Sequence, residues 1–166
     1  MCAQSVVTNT GEARAIILLG EQGTLVPATL VVRATVGTRT TFEEPCPFDD
    51  STRQHIRKVL VPLAKKLIGE AEKKANAWRL SFTLPSAANL YGEKIAIDGH
   101  SADLAIVLAM VSAGRGEPLA HDVASSGQIM DLSGRVGMVA GLAHKLALRD
   151  STISIMLVPD WQNDTA

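Results

Sequence analysis

Two runs of β-branched and aliphatic residues near the start of the chain, Arg14–Leu19 and Thr29–Val36, restrict the fold more than any other feature. Each is too apolar to remain solvated coil and too short for a long helix, so both read as strands. The turn Gly20-Glu21-Gln22-Gly23 follows the first, and Pro27 displaces the start of the second. Downstream the hydrophobic period changes. Ile56, Val59, Leu60, Leu63, Leu67 and Ile68 fall at helical spacing and predict a helix from Ser51 to about Ala75, capped by Asp49 or Asp50. Pro62 lies inside that pattern and should kink or split it. The Lys and Glu residues after Leu63 read as its solvated face.

Strand and helix patterns continue to alternate. Thr38–Phe48 reads as a polar loop with a short edge strand at its start, and Trp78–Leu84 as a strand. Pro85–Glu93 reads as a loop, and Lys94–Ile97 as a short apolar stretch. Asp98-Gly99-His100-Ser101 then leads into an Ala-rich helix, Ala102–Ala113, whose core face is expected to be Leu104, Val107, Leu108 and Val111. Gly114-Arg115-Gly116 ends it. Short strands are expected at Val123–Ile129 and Arg135–Val139, a helix at Leu142–Arg149, and a closing strand at Ile153–Val158. The class is mixed α/β. Residues 1–12 read as a lead-in, 13–160 as one domain and 161–166 as a tail.

Composition removes several function classes. The 166 residues suffice for one core, built from Val, Leu, Ile and Ala because aromatics are only 4%. A formal net charge of −1 gives no electrostatic footprint for nucleic acid or anionic lipid. Ala15-Ile16-Ile17-Leu18-Leu19 is too short for a signal-peptide core or a membrane span, so a cytoplasmic location is expected. Cys2 and Cys46 form no Cys-x-x-Cys pair, which argues against a zinc site; no metal and no cofactor are expected.

Three segments carry candidate chemistry. In Asp98-Gly99-His100-Ser101-Ala102-Asp103-Leu104-Ala105, Ser101 sits where a turn enters a helix. It is either an N-cap or a nucleophile beside the N–H groups of the helix start. In Gly141-Leu142-Ala143-His144-Lys145-Leu146, Lys145 shares a face with leucines. It is either a lysine whose stem covers apolar surface or a desolvated amine able to act as a base. In Asp122-Val123-Ala124-Ser125-Ser126-Gly127-Gln128-Ile129, a small hydroxyl residue could hold that amine, or the segment is an ordinary strand and turn. His100, His121 and His144 read as surface or capping residues, not as the base.

The order and spacing of these segments resemble the proteolytic domain of Lon-type proteases (peptidase family S16). That family runs Asp-Gly-Pro-Ser-Ala-Gly, a helix, Gly-x-Pro, Ala-Asp-Val-Ala-x-Thr-Gly-Glu-Ile, a turn, and Gly-Gly-Leu-x-x-Lys. Here Asp98-Gly99-His100-Ser101-Ala102, Gly116-Glu117-Pro118, Asp122-Val123-Ala124, Gly127, Gly141-Leu142 and Lys145 follow in register, and Ser126 takes the place of the threonine. Val158-Pro159 resembles the family's closing strand. The likeness is strong over Asp98–Pro159 and rests on element order upstream.

The resemblance implies an α/β (α+β) fold like ribosomal S5 domain 2, and a serine endopeptidase with a Ser–Lys dyad. Ser101 would be the nucleophile and Lys145 the general base. Ser126 would fix the Lys145 amine. Asp98, Gly99, His100 and Gly127 would shape the turn and the oxyanion hole. The substrate would be an unfolded protein or peptide, and the assembly a homo-oligomer, by the family's habit a hexameric ring. The chain has no Gly-x-x-x-x-Gly-Lys-Ser/Thr phosphate loop, so ATP would enter only through a separate AAA+ motor. The alternative is a non-catalytic Lon-like module for ring assembly or protein binding.

Four substitutions depart from the family pattern: His100 for proline, Asp103 for glycine, Gln128 for glutamate and Ala140 for glycine. The Pro85–Asp98 loop is also longer. A carboxylate near Lys145 would favour the ammonium form. Asp103 should point roughly 200° around the helix from Ser101, toward solvent or a neighbouring subunit.

Overall fold

The structure is a computed structural model that describes residues 9–21, 24–69, 76–85, 100–148 and 150–160. Among the described residues there are eight strands and four α-helices: β1 (Thr10–Glu21), β2 (Thr24–Gly37), β3 (Thr41–Phe42), α1 (Asp50–His55), α2 (Val61–Ile68), β4 (Ala77–Thr83), α3 (Asp103–Arg115), β5 (Val123–Ser125), β6 (Gln128–Ile129), β7 (Val136–Gly137), α4 (Leu142–Leu146) and β8 (Ile155–Leu157). The class is the mixed α/β one expected. Six strands form a mixed sheet in the order β3-β4-β2-β1-β5-β8, and β6 and β7 form a separate ribbon. β1, β2 and β4 pair antiparallel, whereas β5 runs parallel to both β1 and β8.

The hairpin is longer than its apolar runs suggest. Pairing extends from Thr10↔Thr35 to Glu21↔Thr24, so β1 starts inside the segment read as lead-in. Pro27 sits within β2, opposite Leu18, rather than before the strand. It is tolerated there because β4 joins β2 only from Val31 onward, so that among the described residues Pro27 has a strand neighbour on one side only.

The long helix is divided as Pro62 requires. Asp49 is its N-cap, with Oδ1 accepting from the Thr52 N–H at 2.8 Å. α1 then widens into a five-residue π-helical turn, Ile56–Leu60, in which the Val61 N–H reaches back to the Ile56 carbonyl. α2 starts afresh with proline in its first turn. The π turn spreads the backbone where the proline ring would otherwise clash and where one helical donor is missing.

α3 lies on the sheet over β1 and β2 and packs against α2. Its buried residues include Ala105, Ile106, Val107, Ala109, Met110 and Ala113, while Leu104, Leu108 and Val111 are only partly buried. Of the expected face, Val107 is buried, whereas Leu104, Leu108 and Val111 are secondary. Alanine brings the helix axis close to the sheet, and hydrophobic area is gained by proximity rather than by side-chain size. Ala13, Ala15, Ile17 and Leu19 of β1 face this core, joined by the fully buried Trp78. Ile16, also fully buried, lies outside that core, on the alternate face of β1.

The carboxyl-terminal third departs most from the expected elements. The Val123–Ile129 run breaks at Ser126-Gly127, α4 spans only Leu142–Leu146, and β8 only Ile155–Leu157. Among the described residues, no helix is long and apolar enough to cross a membrane. The expected Lys94–Ile97 element lies outside the described residues.

Candidate active site

The break between β5 and β6 assembles the site. Ser126 continues the sheet ladder by donating its N–H to the Leu157 carbonyl at 2.9 Å. The chain then turns across the start of α3. The Gly127 N–H donates to the Ser101 carbonyl at 3.0 Å, and the Leu104 N–H donates to the Gly127 carbonyl at 3.1 Å. Gly127 is thus clamped to the turn that carries Ser101. A Cβ at Gly127 would lie 2.9 Å from Val136 Cγ1 and 3.3 Å from Leu104 Cδ2, so a larger residue would force those side chains to shift.

Those bonds also bear on Ser101. The N-cap of α3 is Ala102, which makes no side-chain capping bond, and the Leu104 N–H is satisfied by Gly127. The capping reading of Ser101 is therefore not the arrangement found. Ser101 is half-buried at the entry to the helix.

Lys145 approaches from the other direction. Gly141, at φ 65°, starts α4 in the left-handed region, and a Cβ there would collide with Leu18 Cδ1. The helix is thereby seated against β1. Thr29 Oγ1 donates to Asp150 Oδ2 at 2.9 Å, which fastens the chain beyond α4 to β2. Lys145 points inward with 2% of its surface exposed, while Leu146 is exposed. The side chain does not snorkel. Lys145 Nζ donates to Ser126 Oγ at 3.0 Å, and Ser126 is fully buried. Burial pushes the Lys145 pKa down from 10.5 to about 8, because desolvation disfavours the ammonium.

Asp103 is not where helix geometry alone placed it. It is 1% exposed, facing neither solvent nor an open surface. Its Oδ2 accepts from the Ile129 N–H at 3.1 Å and pairs with His55 Nε2 at 2.8 Å. The reason is the fold around α3: the helix is covered by α2 and by the Gly127–Ile129 turn, so its first residue points into a filled interior. Burial raises the Asp103 pKa to about 7, against the opposing Ile129 N–H and the charge of His100. The feared effect on Lys145 is absent, since burial alone accounts for its shift.

Of the residues singled out, Ser101, Ser126, Gly127 and Lys145 are brought to one region by the bonds above. His100 packs its ring against that of His55, tilted by 42° with 4.2 Å between centroids. Asp98 and Gly99 lie outside the described residues. His55 carries no motif signal. It is joined to Asp103 across 48 residues of sequence by tertiary packing.

Residues 91–165 match the family model of the Lon protease (S16) C-terminal proteolytic domain. Over this stretch the chain is Lon-like. The matched segment spans the Ser101 turn, the Ser126-Gly127 break and Lys145, and amounts to a little under half of the sequence. The Lon-type proteolytic domain is a serine peptidase domain, so the match supports a protease.

Proposed function

We propose that the chain is a serine endopeptidase that uses Ser101 as nucleophile and Lys145 as general base. One observation carries the reading. Lys145 is a lysine with its amine buried, held by a hydroxyl and desolvated to a pKa of about 8, in the segment that matches the Lon family. A surface lysine has no need of such an environment, whereas a base must be neutral for part of the time at working pH.

The chemistry follows from these groups. Lys145 Nζ takes the Ser101 hydroxyl proton as Oγ bonds to the scissile carbonyl carbon. The resulting oxyanion is stabilised by backbone N–H groups, of Ser101 and its neighbours, at the helix entry. Collapse breaks the C–N bond, and the Lys145 ammonium returns its proton to the leaving amine. A water deprotonated by Lys145 then releases the acyl group. Ser126 keeps the amine aimed, and Gly127 fixes the Ser101 turn relative to Ser126. His100 belongs to the presenting turn; for Asp98 and Gly99 a part in it is proposed from the resemblance alone.

Unfolded protein or peptide is the proposed substrate. Any ATP-driven unfolding would come from an AAA+ motor, not from the residues of this chain. A homo-oligomer is also proposed, supported by Leu132, Met138, Leu146 and Ile155, which are exposed apolar side chains in the carboxyl-terminal third. A monomer by sedimentation at all concentrations would count against it. The function itself is tested by digesting an unfolded protein. Wild type should cleave it, and Ser101→Ala and Lys145→Ala should each abolish cleavage. Equal behaviour of all three proteins would end the peptidase reading.

A further inference from the structure

We propose that His55, His100 and Asp103 form a site for one divalent transition-metal ion, zinc by donor chemistry, which ties the end of α1 to the turn that carries Ser101. The three residues come from separate elements: the last residue of α1, the turn before α3, and the first residue of α3. One ligand atom from each lies within 4.8 Å of the others. The Asp103 carboxylate stands between the rings, with Oδ2 2.8 Å from His55 Nε2 and Oδ1 3.9 Å from His100 Nδ1.

A simple ion pair explains only half of this arrangement. His55 and Asp103 satisfy each other, but His100 Nδ1 is buried and has no hydrogen-bond partner among the described residues. Its 3.9 Å separation from Asp103 is too long for a hydrogen bond. Two ligands of one tetrahedral zinc stand about 3.3 Å apart, as follows from zinc–ligand bonds of about 2.0–2.1 Å. An inward movement of the His100 ring, with the 2.8 Å His55–Asp103 contact opening to admit the ion, therefore turns an orphaned nitrogen into a ligand. Leaving a buried acceptor or donor unpaired is costly, which favours the bound state.

The surroundings suit an ion. The Ile129 N–H holds Asp103 Oδ2 at 3.1 Å, orienting the carboxylate as an outer-shell donor does in metal sites. Two imidazoles and one carboxylate favour zinc and its neighbours over magnesium or calcium, which prefer all-oxygen sets. Asp49 adds a nearby negative charge: its carboxyl is held below the usual range first by the Thr52 N–H and, more weakly, by His100. Three protein ligands leave a position for water. Cys46, whose lack of a Cys-x-x-Cys partner argued against zinc, has no part in this site.

The proposal is independent of peptidase activity and is tested by binding. The full-length protein is stripped with chelator and titrated with Co²⁺, followed by visible absorption. One equivalent should bind with the intense d–d bands of a tetrahedral site and should be displaced by Zn²⁺. His55→Gln, His100→Asn and Asp103→Asn should each weaken binding about 100-fold or more. Asp103→Asn keeps an acceptor for the Ile129 N–H, and matching far-UV dichroism in chelator verifies that each variant is folded. His121→Gln, His144→Gln and Ser101→Ala should bind cobalt as wild type does. Wild-type protein that takes up no cobalt, or folded ligand variants that take it up equally well, would overturn the site.

Discussion

Replacing Lys145 by methionine should separate stability from activity, and its effect should reverse with pH. Lys145 is 2% exposed, and burial lowers its pKa from 10.5 to about 8. A drop of that size corresponds to about 3.4 kcal/mol at 1.36 kcal/mol per unit. The sign follows from proton counting. Between pH 8 and 10.5 the unfolded chain holds this proton more tightly than the folded one, so stability rises with pH in that window. The full penalty is present at neutral pH. By pH 10 about 2.5 kcal/mol of it has been relieved. Methionine is unbranched, one atom shorter and uncharged, but it leaves Ser126 Oγ without its donor, at a cost of about 1–3 kcal/mol. At pH 7 the variant should therefore equal or exceed wild type, by up to about 2 kcal/mol. At pH 10 it should be less stable by a similar amount. Urea unfolding of both proteins at the two pH values measures this, and their difference cancels every other titrating group. A stability difference that does not change between pH 7 and 10 would refute the desolvated amine.

Activity should follow the same amine. The neutral fraction of a group with a pKa of about 8 rises from about 9% at pH 7 to about 91% at pH 9, so kcat/KM should rise about tenfold over that range. An inflection near pH 6.5 would instead implicate a histidine. Ser126→Ala should lower kcat ten- to a hundredfold by releasing the amine, whereas Ser126→Thr should keep most of the activity because it restores the hydroxyl. Equal loss in both variants, measured by steady-state kinetics, would remove Ser126 from its positioning role. Gly141→Ala should destabilise the protein by about 1–2 kcal/mol for its positive φ alone, and more as Leu18 is displaced. An unchanged melting temperature would show that α4 is not seated as described.

The hairpin, the Asp49 cap, the Pro62 break and the α3 boundaries were all legible because each rests on local chemistry. Period-2 and period-3.6 patterns, a capping carboxylate and a missing N–H act within a few residues. The carboxyl-terminal third was less legible. There the chain breaks at Ser126-Gly127 because Gly127 bonds to Ser101 and Leu104, and no local pattern encodes those partners. On the α3 core face only Val107 is legible; the leucines outweigh the alanines in the sequence, whereas close approach to β1 is what buries that helix. Asp103 was misplaced for a related reason. What covers that side of α3 is set by α2 and by the Ile129 turn, which no helical angle reveals. The likeness to Lon picked out Ser126 and Lys145 together, and the 3.0 Å bond between them is consistent with that pairing. His55 was invisible because only folding brings it to Asp103.

Activation of Ser101 by Lys145 is tested by acylation with a β-lactone, read by intact mass and peptide mapping at pH 8. Wild-type protein should gain one acyl group, mapped to Ser101. Ser101→Ala should gain none, and Lys145→Ala should react at least a hundredfold more slowly. Acylation at another residue, or labelling of Lys145→Ala at the wild-type rate, would contradict the account.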